Sequence, residues 1–493
     1  MYQSQQLYRC GLGEYWRRQI GEVNPTAFAR HAGGCEDLIH RLYRYAELDG
    51  HNGCVNTVSF NPTGDLLVSG SDDRDIIVWN WAAKEELFSY DSGHEDNVFQ
   101  ARVMPFSDDR IIVSCAADGQ VRYGTILENG KVQTKNLAKH SGRAHKLAIE
   151  PGSPRIFYSC GEDGAVRHFD LRQEKSTKLF KCHHLQNVPR KSGRKVVRLN
   201  AIVMNPRNVN YFAVGGSDQY ARVYDIRRVT ANSSDDGPVD CFAPKHLMGP
   251  GQVHITCVAY SLQEELLVSY NDELIYSFEK SMGLGPSPLK KPEDDGDKGD
   301  GDKVGPEPNV TEPQVYEGHR NSKTVKGVNF FGPNMEYVIS GSDCGRIFIW
   351  KKKGGELVAL MKGDSSVVNC LEPHPFATFL ATSGIDDSIK IWAPTADRIL
   401  PLPADAETVM KNNRMKRASY PRLSLTPDVI RHLLRLRHLQ AQSSENESGY
   451  MRVSFEDGIV EEEEDVMDSD LDDDDDDSLE DGESGNPREC MIS

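Results

Sequence analysis

The sequence has eleven cysteines, from Cys10 to Cys490, and not one Cys-x-x-Cys pair among them. An odd count without metal or redox spacing argues against a disulfide framework and for a reducing compartment. Several of them (Cys54, Cys115, Cys160, Cys257, Cys370) sit in strand-like runs, where a free thiol behaves as a small buried hydrophobe. No run of about 18 apolar residues is present, and residues 1–20 have no apolar core of signal-peptide type, so a soluble protein of nucleus and cytoplasm is expected. Catalytic signatures are missing as well: there is no GxxxxGK[ST] and no GxSxG, and His94-Glu-Asp-Asn-Val98 lacks the second His of a zinc protease motif. No Lys or Arg occurs from Glu456 to Glu483, a stretch with 18 acidic residues. Removing those 18 from the 75 acidic residues leaves 57, equal to the 57 Lys and Arg, so the body of the chain is neutral and the net charge of −18 belongs to the tail.

What is present is a repeat. From His51 onward a unit recurs: Gly-His or its remnant, an alternating apolar strand, a turn, a strand ending in Ser or Gly, a tight turn with Asp, and a strand ending in an aromatic. The first copy runs from His51 through Asp73 to Trp79; the second from His94 through Asp118 to Ile126, with Gly124 in the aromatic place. The third ends at Arg172 after Asp163 and Phe169, and the fourth at Arg227 after Asp218 and Tyr224. The fifth spans Ile255 to Glu279; the sixth joins His319 to Trp350 with Asp343 one place out of step; the seventh ends from Asp386 to Trp392. Four short strands with this punctuation form one blade, which cannot bury both faces alone, so copies pack in a ring. The expected fold is an all-β, seven-bladed WD40 propeller, its last blade closed by a strand from about Leu38 to Leu48. At the repeat positions His51, His94 and His319 are assigned structural hydrogen bonds to turn carboxylates, and no cofactor is expected.

Outside the repeat, residues 1–37 read as an N-terminal arm, with Glu14 to Ala29 either a partner-binding amphipathic helix broken at Asn24-Pro25 or a loose lead-in. The propeller is expected over 38–396. A basic insert, 173–198, extends a run from Arg172 that counts nine Lys or Arg against Glu174; it reads as a solvated loop, an import signal or a phosphate-binding patch. A second insert, 281–313, is low-complexity and expected to be disordered; its Asp-Gly-Asp pairs are out of register for a calcium loop. Residues 397–440 form an extension with a helix over 426–439, capped by Thr426 and Pro427, before an acidic tail over 441–493 that is expected to be disordered. Cys182-His183-His184 is the one tight group of soft ligands, and without a second pair it points away from zinc.

The third and fourth copies differ from the rest. Only they end in aromatic-Asp-x-Arg: Phe169-Asp170-Leu171-Arg172 and Tyr224-Asp225-Ile226-Arg227. The equivalent Asp places elsewhere hold Asn80, Thr125, Glu279, Lys351 and Ala393. Each Arg either docks a partner or only stiffens its turn through the Asp two residues before it.

Stretches such as Gly93-His-Glu-Asp-Asn-Val-Phe-Gln-Ala-Arg102, Lys326-Gly-Val-Asn-Phe-Phe-Gly-Pro333 and Val368-Asn-Cys-Leu-Glu-Pro-His-Pro375 resemble one branch of the cullin-4-associated WD-repeat factors. The resemblance covers roughly Ala46 to Thr395. It implies a non-catalytic substrate receptor of a cullin-4 RING ubiquitin ligase, held by the damaged-DNA-binding adaptor protein and recruiting protein substrates, with no membrane partner and nucleic acid disfavoured. The family's 16-residue docking box, ending in Trp-Asp-x-Arg, falls on Phe157 to Arg172 and Phe212 to Arg227. By that carry-over Asp163, Phe169, Asp170, Arg172, Asp218, Tyr224, Asp225 and Arg227 are the adaptor-binding residues, with Phe169 and Tyr224 departing from the usual Trp. The family also uses an N-terminal helical segment to reach the adaptor. Two other readings stay open: a propeller that binds chromatin or nucleic acid through the basic insert and acidic tail, and a ligase-independent scaffold.

Overall fold

The structure is a computed structural model that describes residues 12–173, 175–185, 195–229, 237–248, 253–286, 288 and 312–418. Strands fall into seven four-stranded antiparallel sheets. Lettering each blade a to d from the centre outward, blade one is Val55–Phe60, Leu67–Ser71, Asp75–Asn80 and Glu85–Asp91. Blade two is Val98–Val103, Ile111–Ala116, Gln120–Ile126 and Val132–Lys139; blade three is Ala144–Ile149, Ile156–Gly161, Ala165–Asp170 and Thr177–Lys181; blade four is Leu199–Met204, Tyr211–Gly216, Ala221–Asp225 and Asp240–Phe242; blade six is Val328–Phe331, Tyr337–Ser340, Arg346–Lys351 and Leu357–Lys362. The seven-bladed WD40 propeller expected from the repeat is the fold observed. The insert at 281–313 enters between strands c and d of blade five, Ile275–Phe278 and Gln314–Tyr316.

Ring closure uses the start of the chain. Tyr43–Asp49 is strand d of blade seven, running antiparallel to Ser388–Ala393 from Tyr43 opposite Ala393 to Asp49 opposite Ser388. Ala46 and Leu48 are thereby buried in one cluster with Val55 and Trp79 of blade one and Ile389 of blade seven. Covering that edge also removes a row of unpaired backbone groups that would otherwise invite aggregation.

Strand order fixes two faces. With a to d antiparallel in every blade, the a–b and c–d turns lie on one face, here called lower, and the b–c turns and d–a links on the other, called upper. At the upper end of strand a, six blades carry a bulge at the second residue: Asn56, Phe99, His145, Asn200, Thr256 and Asn369. Several of these residues tie neighbouring blades together. Asn56 Nδ2 donates to the Val98 carbonyl and Asn200 Nδ2 to the Ile255 carbonyl, both at 3.2 Å.

Helices occupy the flanks. Helix α1, Leu12–Gln19, leads to α2, Pro25–Gly33, which begins where Asn24 Oδ1 accepts from Ala27 N at 2.7 Å and Pro25 takes the first turn. Helix α3, Glu36–Ile39, follows. These meet the lower turns of blades six and seven: Thr378 Oγ1 donates to the Gly33 carbonyl at 2.7 Å and Tyr337 Oη to that of Gly34 at 3.2 Å. Helix α4, Ala406–Ala418, which the sequence reading did not include, lies on blade six. Ala406 and Val409 join Phe348, Trp350 and Leu360 in one buried cluster, and Asn413 Nδ2 donates to the Gly318 carbonyl at 2.9 Å. The helix expected over 426–439 and the tail over 441–493 lie outside the described residues. No helix among the described residues is long and apolar enough to cross a membrane.

Candidate docking face

In blade three, strand c ends at Asp170, and the chain turns sharply toward strand d. Asp170 Oδ1 caps that turn by accepting from Arg172 N at 3.0 Å. The same carboxylate then grips the Arg172 guanidinium from two sides, with Nε at 2.9 Å from Oδ1 and Nη2 at 2.7 Å from Oδ2. Blade four repeats the arrangement: Arg227 N and Nε lie 3.0 Å from Asp225 Oδ1, and Nη2 lies 2.7 Å from Oδ2. The Asp side chains are buried at 7% and 6% exposure, while the Arg side chains stand 60% and 62% exposed. A bidentate Arg–carboxylate pair of this kind adds geometric definition as well as attraction. The Arg172 guanidinium, by its hydrogen bonds, holds the Asp170 carboxyl at about 2, and Arg227 lowers that of Asp225. Both clasps are thus ionised at neutral pH, and each aims one fixed cation outward from the lower face. The turn-stiffening contact is therefore present in both blades, and it leaves each guanidinium exposed on the lower face.

The other carried-over residues are inside the molecule. Phe169 stacks on its cross-strand partner Phe157 with centroids 4.6 Å apart and rings within 4° of parallel. Tyr224 lies between Phe180 at 4.2 Å and its own cross-strand partner Phe212 at 5.7 Å. An aromatic ring of any kind fills this place, which is why Phe and Tyr substitute for Trp without opening the blade; such stacks contribute roughly 0.5–1.5 kcal/mol beyond burial. Asp163 and Asp218 require a correction. They sit in b–c turns on the upper face, separated from the Arg residues by the whole of strand c, about 20 Å at the usual rise per residue. Asp163 binds His140 Nδ1 at 2.9 Å, and Asp218 binds buried Arg222 through Nη1 at 2.8 Å and Nη2 at 2.5 Å. Neither can touch a partner that holds the lower face.

The repeat histidines divide. His51 links Asp73 at 2.8 Å and Ser69 Oγ at 2.7 Å, and Trp79 Nε1 donates to the same hydroxyl at 2.8 Å. His94 likewise joins Asp118 at 3.1 Å and Ser114 at 2.9 Å. His319 does not follow. It is buried against Trp350, 5.8 Å between ring centroids, and among the described residues neither ring nitrogen has a hydrogen-bond partner. Burial, followed by Arg417 and Lys326 nearby, pushes its pKa down to about 3, so it stays neutral. The carboxylate it would need is elsewhere: Asp343, one place early, pairs with Lys326 and accepts from Ser322 N at 2.8 Å, and Trp350 Nε1 turns to the Glu317 carbonyl at 3.1 Å. In blade seven the Gly-His place is Gly363-Asp364, and Lys390 bridges Asp364 at 2.9 Å and Asp386 at 3.1 Å, while Trp392 Nε1 donates to Thr382 Oγ1 at 2.9 Å. Cys182 packs under Tyr224 Oη at 3.8 Å, and no group of three potential metal ligands exists among the described residues.

Two features escaped the sequence reading. Arg222 takes the hydrogen bonds of the fourth repeat's Asp218, with His184 Nδ1 beside it 3.5 Å from Asp218 Oδ2; a basic residue four places after a turn Asp was the available signal. The second is apolar. Phe106, Leu127, Val209, Leu262 and Phe376 are all among the exposed large hydrophobics, and all five lie in a–b or c–d turns, on the face that carries Arg172 and Arg227. Single exposed apolar residues need no explanation, and these five are spread over blades two, four, five and seven, so what they share is the face alone. Tyr15 and Trp16 of helix α1, and Ile20 in the turn after it, are exposed as well.

The family model described as WD domain, G-beta repeat matches residues 43–80, 311–351 and 355–393. The chain is similar to WD and tetratricopeptide repeats protein 1 of Homo sapiens, 24% identical over 77% of this chain and 88% of that protein. It is 34% identical to DDB1- and CUL4-associated factor 6 of Mus musculus over 54% of this chain and 31% of that protein. A third relative, Protein ALTERED SEED GERMINATION 2 of Arabidopsis thaliana, is 34% identical over 50% of this chain and 37% of its own length. The chain thus spans only about a third of the latter two relatives. It is a seven-bladed propeller of WD40 repeats whose relatives include a protein named for association with DDB1 and CUL4.

Proposed function

We propose that this chain is a non-catalytic substrate receptor of a cullin-4 RING ubiquitin ligase, in the branch of the eighth-numbered cullin-4-associated factor. Its lower face holds the damaged-DNA-binding adaptor through Arg172 and Arg227. The observation that carries this reading is the pair of matching clasps in adjacent blades, each presenting an exposed guanidinium from a buried carboxylate on the same face. Pre-set side chains lose little freedom on binding, so their contacts convert efficiently into affinity. The helices that meet the same face support it, as do the relatives' names.

The upper face, with the basic link that leads from Thr177–Lys181 into Leu199–Met204, is left for a protein substrate. Tethering that substrate near the ligase's conjugating enzyme raises the effective concentration of its lysines, which is all the chemistry asked of a receptor. The test is co-purification of the adaptor from cells expressing wild type or the double variant Arg172→Ala, Arg227→Ala. Adaptor should be lost with the double variant while its thermal transition stays within a few degrees of wild type. Undiminished recovery of adaptor would refute the assignment.

A further inference from the structure

The link from blade three to blade four is free of acids: no Asp or Glu occurs from Lys181 to Arg198. Residues 186–194 lie outside the described residues, but both legs of the link are fixed on the upper face. His184 N donates to the Lys195 carbonyl at 2.9 Å, Val197 N to the Cys182 carbonyl at 3.0 Å, and Arg198 N to Ser217 Oγ at 3.0 Å. Cys182 and Val197 are buried in the core shared by blades three and four, and Leu185 packs on Tyr220, Cys241 and Ala243. Lys181, Lys195 and Arg198 are left exposed, joined by Lys245 in the link that follows blade four. That second link, Ala243 to His254, has no Asp or Glu either.

The acids around these cations are engaged within the chain. Asp218, in the b–c turn of blade four, is buried and neutralised by Arg222, with His184 Nδ1 3.5 Å from the same carboxylate. Glu162, Asp163, Asp272 and Glu273 of the flanking b–c turns are half-buried. Glu162 meets His145 at 3.2 Å, Asp163 meets His140 at 2.9 Å, and Glu273 accepts from Tyr276 Oη at 3.3 Å. The exposed Lys and Arg at the upper end of blade four therefore face solvent without an exposed acid among the described residues of its turn and the two links. Across the ring the balance reverses, since the exposed charges in the upper turns of blades one, two and seven are Glu95, Asp96 and Asp387 against Arg74. The described residues of blade four's upper turns include no exposed aromatic side chain on which bases could stack, which favours an acidic polypeptide over a single-stranded nucleic acid.

We propose that the upper end of blade four recognises an acidic segment of the protein substrate, with Lys195 and Arg198 as its central contacts. The inference rests on the receptor reading above and supplies the chemical class of the substrate. The probe is a fluorescein-labelled deca-glutamate peptide, titrated into the full chain at low ionic strength and followed by anisotropy. Wild type should bind it, and Lys195→Glu with Arg198→Glu should weaken that binding at least about tenfold, because like charges across an interface repel. Both side chains are exposed, so the thermal transition should stay where it is in wild type. If it falls, Lys245→Glu in the separate link carries the test and should also weaken binding. A matched reversal of two exposed residues in lower turns, Arg110→Glu with Arg155→Glu, is farther away than the Debye length of about 10 Å and should change binding less than about threefold. No binding by wild type, equal weakening by the upper and lower reversals, or tighter binding of a thymidine oligonucleotide than of the peptide would overturn the proposal. Adaptor co-purification is measured on the same variants. Loss of peptide binding with adaptor retained supports a substrate surface apart from the docking face. Wild type that binds the peptide but not the adaptor removes the receptor reading, and with it the assignment of the acidic segment to a ligase substrate.

Discussion

Arg172, Arg227 and Arg222 show how one residue type serves opposite ends on a propeller. The first two are exposed and held by buried carboxylates; the third is itself 1% exposed and locks Asp218 inside blade four. Removing one partner of such a buried pair leaves the other charge stranded, so Arg222→Ala is predicted to cost about 3–5 kcal/mol of stability, read as a shift of the urea midpoint. The exposed pair behaves differently because its Arg side chains are solvated. Phe169 and Tyr224, being buried, are not expected to touch the adaptor. Phe169→Trp and Tyr224→Trp should therefore leave adaptor affinity unchanged in a direct titration, whatever they do to the thermal transition.

The upper-face carboxylates carry a pH signature. Burial raises Asp163, but the hydrogen bond and charge of His140 outweigh it and bring the group to about 2; Asp73 and Asp118 are lowered in the same way by His51 and His94. A carboxyl with a folded pKa below its unfolded value, near 3.9, stabilises the fold above about pH 4 and loses that contribution as pH falls toward 2. The thermal transition of wild type should therefore fall steeply between about pH 4 and 2. Asp163→Asn should start lower at pH 7 and fall less over that window; an unchanged slope would remove the His140–Asp163 pair from the account.

At the scale of elements, the closing strand is the piece on which the ring depends. A chain starting at residue 50 lacks Tyr43–Asp49 and exposes the edge of Ser388–Ala393. It is predicted to elute as aggregate in size exclusion and to lose its cooperative transition, whereas a chain starting at residue 40 retains both. Blades were legible in the sequence because strand alternation, the Asp turn and the terminal aromatic recur at fixed spacing, as from Val55 through Asp73 to Trp79. Helix α4 was not, because its contact with blade six rests on Ala406, Val409, Met410 and Asn413, too slight an apolar stripe to stand out beside the capped, leucine-rich stretch from Thr426. His319 was misassigned for a related reason: position in the repeat was visible, but the diversion of Asp343 to Lys326 depends on packing in three dimensions. The Asp-x-Arg endings were visible as text, while their bidentate closure and the burial of everything but the guanidinium required the fold.

The whole molecule divides its work between faces. Hydrogen-bonded histidine–carboxylate pairs lie above, where they stiffen the turns that define the upper surface. Below lie both clasps, the exposed apolar turns and the contacts of the N-terminal helices. The claim that this lower face is an adaptor-docking surface is tested most directly by the dissociation constant of purified adaptor for wild type, each single Arg→Ala variant and the double variant, at matched folding. Each single change is predicted to weaken binding by about tenfold or more and the pair to abolish measurable binding, as expected for central Arg anchors. A double variant that folds normally and binds adaptor with the wild-type constant would contradict the account.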